Sequence, residues 1–114
     1  MQIRVTASDT NELAIRLRIE HEQNRMSLVV FKDQSNCAIL STHWSLSEDK
    51  LASEMLVRCN EINSRVSYAK AQYIGRSNSV LISAEWVAMS CRDFAVVLKT
   101  YMTAISYTRE ALTA

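Results

Sequence analysis

Residues 13–20 read Leu13-Ala14-Ile15-Arg16-Leu17-Arg18-Ile19-Glu20, with an aliphatic side chain at every second position and mostly charged side chains between. Successive side chains of a β-strand point to opposite faces of a sheet, so this alternation is typical of a strand that buries one face. A helix would scatter the same aliphatic side chains around its circumference. The octapeptide therefore predicts a strand with its charged side toward solvent.

Two more alternating segments follow, one with Met26, Leu28 and Val30 and one with Cys37, Ile39 and Ser41. Polar links around residues 22–24 and 33–36 separate the segments, which predicts two hairpins. If both links are even in length, cross-strand partners have opposite parity, and Ile15, Val30 and Ile39 lie side by side. The other face of the sheet would then carry Arg16, Val29, Phe31, Leu40 and Trp44.

Two segments have helical spacing. In the first, Leu51, Met55, Cys59 and Ile62 lie at intervals of four, four and three residues, and Ser45 or Ser47 is a candidate N-cap. In the second, Ser90 and Asp93 form a capping signal ahead of a longer apolar stripe. That stripe consists of Phe94, Val97, Leu98, Tyr101, Met102, Ile105 and Leu112.

A further hairpin is predicted between the two helices. Residues 66–73 and 80–87 flank Gly75-Arg76-Ser77-Asn78, which includes the single glycine of the chain. One face of this hairpin would carry Ala69, Ala71, Tyr73, Val80, Ile82, Ala84 and Trp86.

Together the segments predict an α+β fold, in which an antiparallel sheet of about five strands packs against two helices in the order β-β-β-α-β-β-α. The length of 114 residues fits a single domain, residues 1–114. We find no apolar run of 18 residues and no secretory leader, so we expect no membrane partner and a cytoplasmic location. Cys37, Cys59 and Cys91 are odd in number and far apart, which favours reduced thiols.

The sequence contains no recognisable catalytic, cofactor or metal site. One glycine in 114 residues excludes the glycine-rich phosphate loops. The three cysteines and two histidines lack the close spacing of zinc ligands. We therefore expect no cofactor, no bound metal and no enzymatic activity. The alternative is a thiol-dependent enzyme or redox sensor that uses Cys91, because a thiol beside Arg92 in the first turn of a helix favours the thiolate.

The charge balance argues against nucleic acid as a partner. The chain has 13 basic and 12 acidic side chains, so its long-range field is weak. Arg16, Arg18 and Arg25 form at most a local basic strip on the solvent side of the first hairpin, where Glu20 and Glu22 are interleaved with them.

The second half of the chain resembles a known family. The resemblance begins at Cys59-Asn60-Glu61-Ile62-Asn63 and continues through Val66 to Ala71, Val80 to Trp86 and the closing helix. These segments resemble the bacterial YbjN-like proteins, whose fold is that of the type III secretion chaperones. The resemblance covers about residues 12–112 in element order, and its specific part is the Asn-x-x-Asn helix ending with the hairpin after it. It implies a sheet with helices on one side, a homodimer, and binding of extended polypeptide segments or a regulatory role.

One departure from that family bears on function. Its members usually begin with a helix, whereas here at most eleven residues precede Glu12 and Gln2 to Thr6 look extended. The missing helix would leave apolar sheet surface uncovered, so we expect a second copy or a protein partner to cover it. Burial at about 25 cal/mol per Å² would make such a contact worth several kcal/mol before association costs.

The sequence thus predicts a non-catalytic protein-interaction module, chaperone-like or regulatory, that acts as a homodimer and binds a protein or peptide. Large apolar side chains near strand ends and on the closing helix are the candidates for its interface. They are Val29, Phe31, Leu40, Trp44, Trp86 and Tyr107.

Overall fold

The structure of the protein is a computed structural model. It describes residues 4–21, 24–32, 36–47, 52–66, 68–87 and 91–113, with the side chains of 91–93 outside the description. Some residues named in the sequence predictions lie outside the described residues or side chains, namely Leu51, the capping pair Ser90 and Asp93, and the Cys91 thiol. Neither helix of the described part combines the length and hydropathy that a membrane crossing needs.

Six strands and two helices make up the described chain. The elements are β1 (Arg4–Thr10), β2 (Ala14–His21), β3 (Asn24–Phe31), β4 (Cys37–Ser45), α1 (Ala52–Arg65), β5 (Lys70–Ile74), β6 (Ser79–Val87) and α2 (Cys91–Thr113). This confirms the α+β class, the antiparallel sheet and the positions of both helices. The predicted number of about five strands is one too few, because residues 4–10 form an additional strand.

The extra strand β1 is joined to β2 by a short turn. The Asn11 Oδ1 atom accepts hydrogen bonds from the backbone N–H groups of Leu13 (2.8 Å) and Ala14 (2.9 Å). An asparagine side chain that bonds the backbone a few residues on is a common turn former, and it reverses the chain here. Arg4 to Thr10 then pair antiparallel with Glu20 to Ile15.

The sheet has the order β1-β2-β3-β4-β6-β5, and all neighbouring strands are antiparallel. Both helices pack on one face, where α1 contacts β5 and α2 contacts β6 and β4. The buried core lies between this face and the helices. Its largest fully buried side chains include Ile19, Leu28, Leu40, Val80, Ile82, Met102 and Ile105.

The register between strands tests the predicted faces. Ile15 pairs with Val30, as predicted. The next hairpin differs, because Val29 pairs with Ile39 and Val30 with Ala38. Five residues, 32–36, separate β3 from β4, and Asn36 has a positive φ of 50°. When the number of residues between two antiparallel strands is odd, odd-numbered residues pair with odd-numbered residues. The prediction assumed an even number of residues between β3 and β4 and was therefore wrong.

The change of parity moves two predicted residues to the opposite face. Leu40 pairs with Leu28 and Ala84 and is fully buried beneath the helices. Trp44 pairs with Val80 on the same face and packs against the core. Neither residue therefore shares a face with Val29 and Phe31.

The β5–β6 hairpin has the predicted apolar face, although β5 begins at Lys70 and not at Val66. Tyr73 pairs with Val80 and Ala71 with Ile82, which places the predicted apolar side of this hairpin against the helices. The positive φ of the turn is carried by Asn78 (47°), a residue type that tolerates this region. Met55, Cys59 and Ile62 of α1 are buried, and so are Leu98, Met102, Ile105 and Leu112 of α2.

Candidate interaction surfaces

The sheet face opposite the helices is uncovered in the described structure, and we call it the open face. The register places Val29, Phe31, Ile39, Leu81 and Val87 there. The first four are half-buried by their neighbours in the sheet, and Val87 is 55% exposed. Val29, Phe31, Ile39 and Val87 form an apolar area at the end of the sheet where Phe31 lies, whereas Leu81 is beside His43 at the opposite end.

The middle of the open face is lined by hydroxyl groups. Ser27 pairs with Ser41, and Ser41 with Ser83, so three serines cross the central strands side by side. Arg18 adjoins the row on one side and Lys70 on the other. Because serine side chains are small, the row forms a shallow trough.

The trough continues into a groove of about 670 Å³ near β1. Its lining includes Arg4, Arg18, Glu20, Arg25 and His43. Glu20 lies between two of these cations, with its carboxylate 4.0 Å from Arg4 Nη1 and 3.7 Å from Arg25 Nε. Arg16, Arg18 and Arg25, the local basic strip considered from the sequence, are all exposed and hydrated, and Glu20 partly neutralises Arg25.

Trp86 lies under α2 and belongs to an aromatic cluster. Its ring stacks on Tyr101 with centroids 4.6 Å apart, and Phe94 lies at 6.0 Å. Tyr68 meets the edge of Tyr101 at 6.2 Å. Such pairs stabilise the packing of the helix on the sheet. The geometry gives Trp86 a structural role and separates it from the open face.

Trp44 and Tyr107 also lie away from the open face. The Arg109 guanidinium of α2 is 4.8 Å from the centroid of the Trp44 ring, a cation–π contact that covers the end of the core. Tyr107 is 61% exposed on the outer side of α2. Of the six residues predicted for an interface, the open face thus brings together two, Val29 and Phe31.

The outer edge of β5 is closed by a side chain of α1. The Asn63 Oδ1 atom accepts a hydrogen bond from the Ala71 N–H (2.7 Å), and Asn63 Nδ2 donates one to the Ala71 carbonyl (2.9 Å). The Asn63 amide thus makes with Ala71 the two backbone hydrogen bonds that a neighbouring strand would otherwise make. Asn63, the second asparagine of the Asn-x-x-Asn helix ending, therefore protects this sheet edge at Ala71.

The opposite edge, β1, has no comparable cover among the described residues. All seven residues of β1 are exposed, and most of its side chains are short. The pairing with β2 shifts between Val5 and Ala7, which marks a bulge. The sequence indicated extended backbone at Gln2 to Thr6 but did not predict a strand of residues 4–10 or its exposed edge, although Asn11 is a turn signal that delimits both.

The Cys59 thiol does not form a reactive site. Cys59 is buried between α1 and the sheet, and burial raises the pKa of its thiol. A raised pKa keeps the thiol protonated and unreactive at neutral pH. Within the described residues, no three histidine, cysteine, aspartate or glutamate side chains converge as a metal site requires.

Fold and surfaces together define the class: a two-layer α+β protein with an open sheet face and one exposed sheet edge. No protein-family model and no curated protein matches the chain. The crystal structure of an uncharacterized protein from Methanothermobacter thermautotrophicus is similar, with a TM-score of 0.63 and 11% sequence identity. The alignment covers 96% of this chain and 87% of that one. At this identity the likeness shows the fold alone.

Proposed function

We propose that this protein is a non-catalytic polypeptide-binding module, chaperone-like or regulatory, that acts as a homodimer and holds an extended segment of a partner at β1. The observation that carries the proposal is the difference between the two sheet edges. Asn63 occupies the backbone groups of Ala71 on β5, whereas β1 is exposed along its length.

An extended peptide can bind at β1 by adding a strand to the sheet. The outward N–H and C=O groups of an edge strand bind peptide backbone regardless of sequence, and flanking side chains select the ligand. The short side chains of β1, including Val5, Ser8 and Thr10, leave room for those of the incoming strand. Arg4 and Asp9 add one charge of each sign.

The open face supports the homodimer part of the proposal. Its apolar end carries Phe31, Val29 and Ile39, and burying such a surface against a partner is favourable. The dimer and the peptide then occupy different places, since one uses a sheet face and the other a sheet edge.

The proposal includes a relationship to the YbjN-like proteins and a cytoplasmic location. The order α1, β5, β6, α2 supports the relationship, as does the bonding of Asn63, the second asparagine of the motif, to the following strand. The odd number and wide spacing of the cysteines support a reducing compartment.

Two proline variants of β1 test the edge proposal. Ser8 and Asp9 are consecutive, so one directs its N–H toward β2 and the other away from the sheet. Proline removes the N–H, and on the outward side it removes no hydrogen bond of the sheet. The probe is a fluorescein-labelled protein kept unfolded by reduction and carboxymethylation, and its fluorescence anisotropy reports binding.

We expect the wild type to bind the probe. Of Ser8→Pro and Asp9→Pro, the variant that keeps its stability should lose at least about tenfold in affinity. The other variant should be less stable, because it loses a hydrogen bond to β2. Failure of the wild type to bind at high micromolar concentration, or unchanged binding by the stable variant, would contradict binding at β1.

A further inference from the structure

The open face has the size of a protein–protein interface. At about 4.8 Å between strands and 3.3 Å per residue, its six strands project over about 700 Å². A standard interface buries about 800 Å² on each partner. A second copy laid across this face would therefore bury enough surface for a stable dimer.

One row of side chains across the open face is complementary to itself. Arg16, Val29, Ile39 and Glu85 are successive cross-strand partners on β2, β3, β4 and β6. Across these four strands the row has a cation at one end, an acid at the other and two aliphatic side chains between, and on β1 it continues to Asp9 beside Arg16. A half-turn about an axis that runs parallel to the strands, between β3 and β4, exchanges the two ends of the row.

We infer that a second copy of this chain binds the open face about that two-fold axis, with Arg16 against the partner's Glu85. The same rotation sets Val29 against Ile39 of the partner subunit. It also sets Phe31 against the partner's Cys37, because these residues lie two positions from Val29 on β3 and from Ile39 on β4. The inference rests on the proposed homodimer and specifies its interface.

Arg16 and Glu85 cannot neutralise each other within one chain. Strands β3 and β4 lie between them, so three strand spacings, about 14 Å, separate their backbones. Both side chains are exposed, and the ion pairs found in the described part of the chain, Arg4–Glu20 and Arg25–Glu20, include neither. Asp9 of β1 is the cross-strand partner of Arg16, so in the proposed dimer Arg16 lies between Asp9 and the partner's Glu85.

The contact is expected to be dry only at the Phe31 end. At the other end the rotation brings Arg25 toward the partner's His43, which gives no attraction. The serine row lies between the two ends and can stay hydrated in its trough. Sheets packed face to face cross at about 30°, so the rows stay opposed near the axis, and Arg16 and Glu85 lie only about 7 Å from it.

Mixing two charge variants tests the axis directly. Arg16→Glu alone sets acid against acid at both ends of the dimer, and Glu85→Arg alone sets cation against cation. Each should raise the dimer dissociation constant at least about tenfold at low salt. An equimolar mixture should form a heterodimer in which both contacts are again of opposite sign. Sedimentation velocity on each variant and on the mixture measures this.

Arg18→Glu serves as the matched control, because Arg18 is on the same strand but lies opposite the partner's Ser83 in this arrangement. In its mixture with Glu85→Arg one of the two contacts still sets cation against cation, so this heterodimer should be weaker than the one formed by Arg16→Glu with Glu85→Arg. If the wild type dimerises but neither charge variant weakens it, or the mixture does not associate, the axis is wrong and the homodimer stands. A wild-type monomer at high micromolar concentration would overturn the axis and the homodimer together, while the β1 proline variants test peptide binding separately.

Discussion

Cys59 shows how a single side chain couples the core to pH. Its thiol lies between α1 and the sheet, where burial disfavours the thiolate and raises the pKa above its ordinary value of 9.0. The sequence placed Cys59 on the buried stripe of α1 through its helical spacing from Met55 and Ile62. It placed Leu40 and Trp44 on the wrong face of the sheet, because their faces depend on the length of the connection between β3 and β4 and on the backbone of Asn36.

The raised pKa predicts a loss of stability in alkali. Below pH 9.0 the thiol is protonated in both folded and unfolded chains, and its contribution is fully present. As the pH rises through 9.0, the unfolded chain releases the proton first, so the free energy of unfolding falls. Urea unfolding from neutral to alkaline pH should show a steeper fall for the wild type than for Cys59→Ala. Equal slopes would show that the Cys59 thiol does not contribute.

At the scale of elements, the junction between α1 and β5 joins a helix end to a sheet edge. Asn63 on the last turn of α1 bonds both backbone groups of Ala71 on β5. The sequence predicted the helix, the hairpin and a motif at their junction, because periodicity and turn residues are local signals. The bond to Ala71 joins residues eight apart through a turn geometry that no periodic pattern encodes.

Asn63→Ala should lower the free energy of unfolding by about 1–2 kcal/mol, because it removes two hydrogen bonds to partly buried backbone groups. It should also expose the edge of β5 and increase aggregation. Asn60→Ala is the matched control on the same helix, at an exposed position, and should change stability by less than about 0.5 kcal/mol. Urea unfolding and light scattering compare the two variants. Equal losses would contradict a special role for Asn63.

At the scale of the whole molecule, a six-stranded sheet has helices on one face only. The sequence predicted two helices and alternating strands, which fixed the class of fold. It did not predict β1, whose seven residues carry too little apolar alternation to read as a half-buried strand. The open face follows from the register as a whole, so its apolar end could be located only once β3 and β4 were paired.

The central claim is that the open face binds a second copy of the chain, and sedimentation velocity on the wild type and Phe31→Asp tests it most directly. Phe31 lies on the open face, and the charge of an aspartate there should prevent a dry contact while the core beneath the helices stays intact. Val96→Asp, at a site 67% exposed on α2, is the control. We predict a dimer for the wild type and Val96→Asp, and a folded monomer for Phe31→Asp. A monomeric wild type, or a Phe31→Asp dimer of unchanged affinity, would contradict the claim.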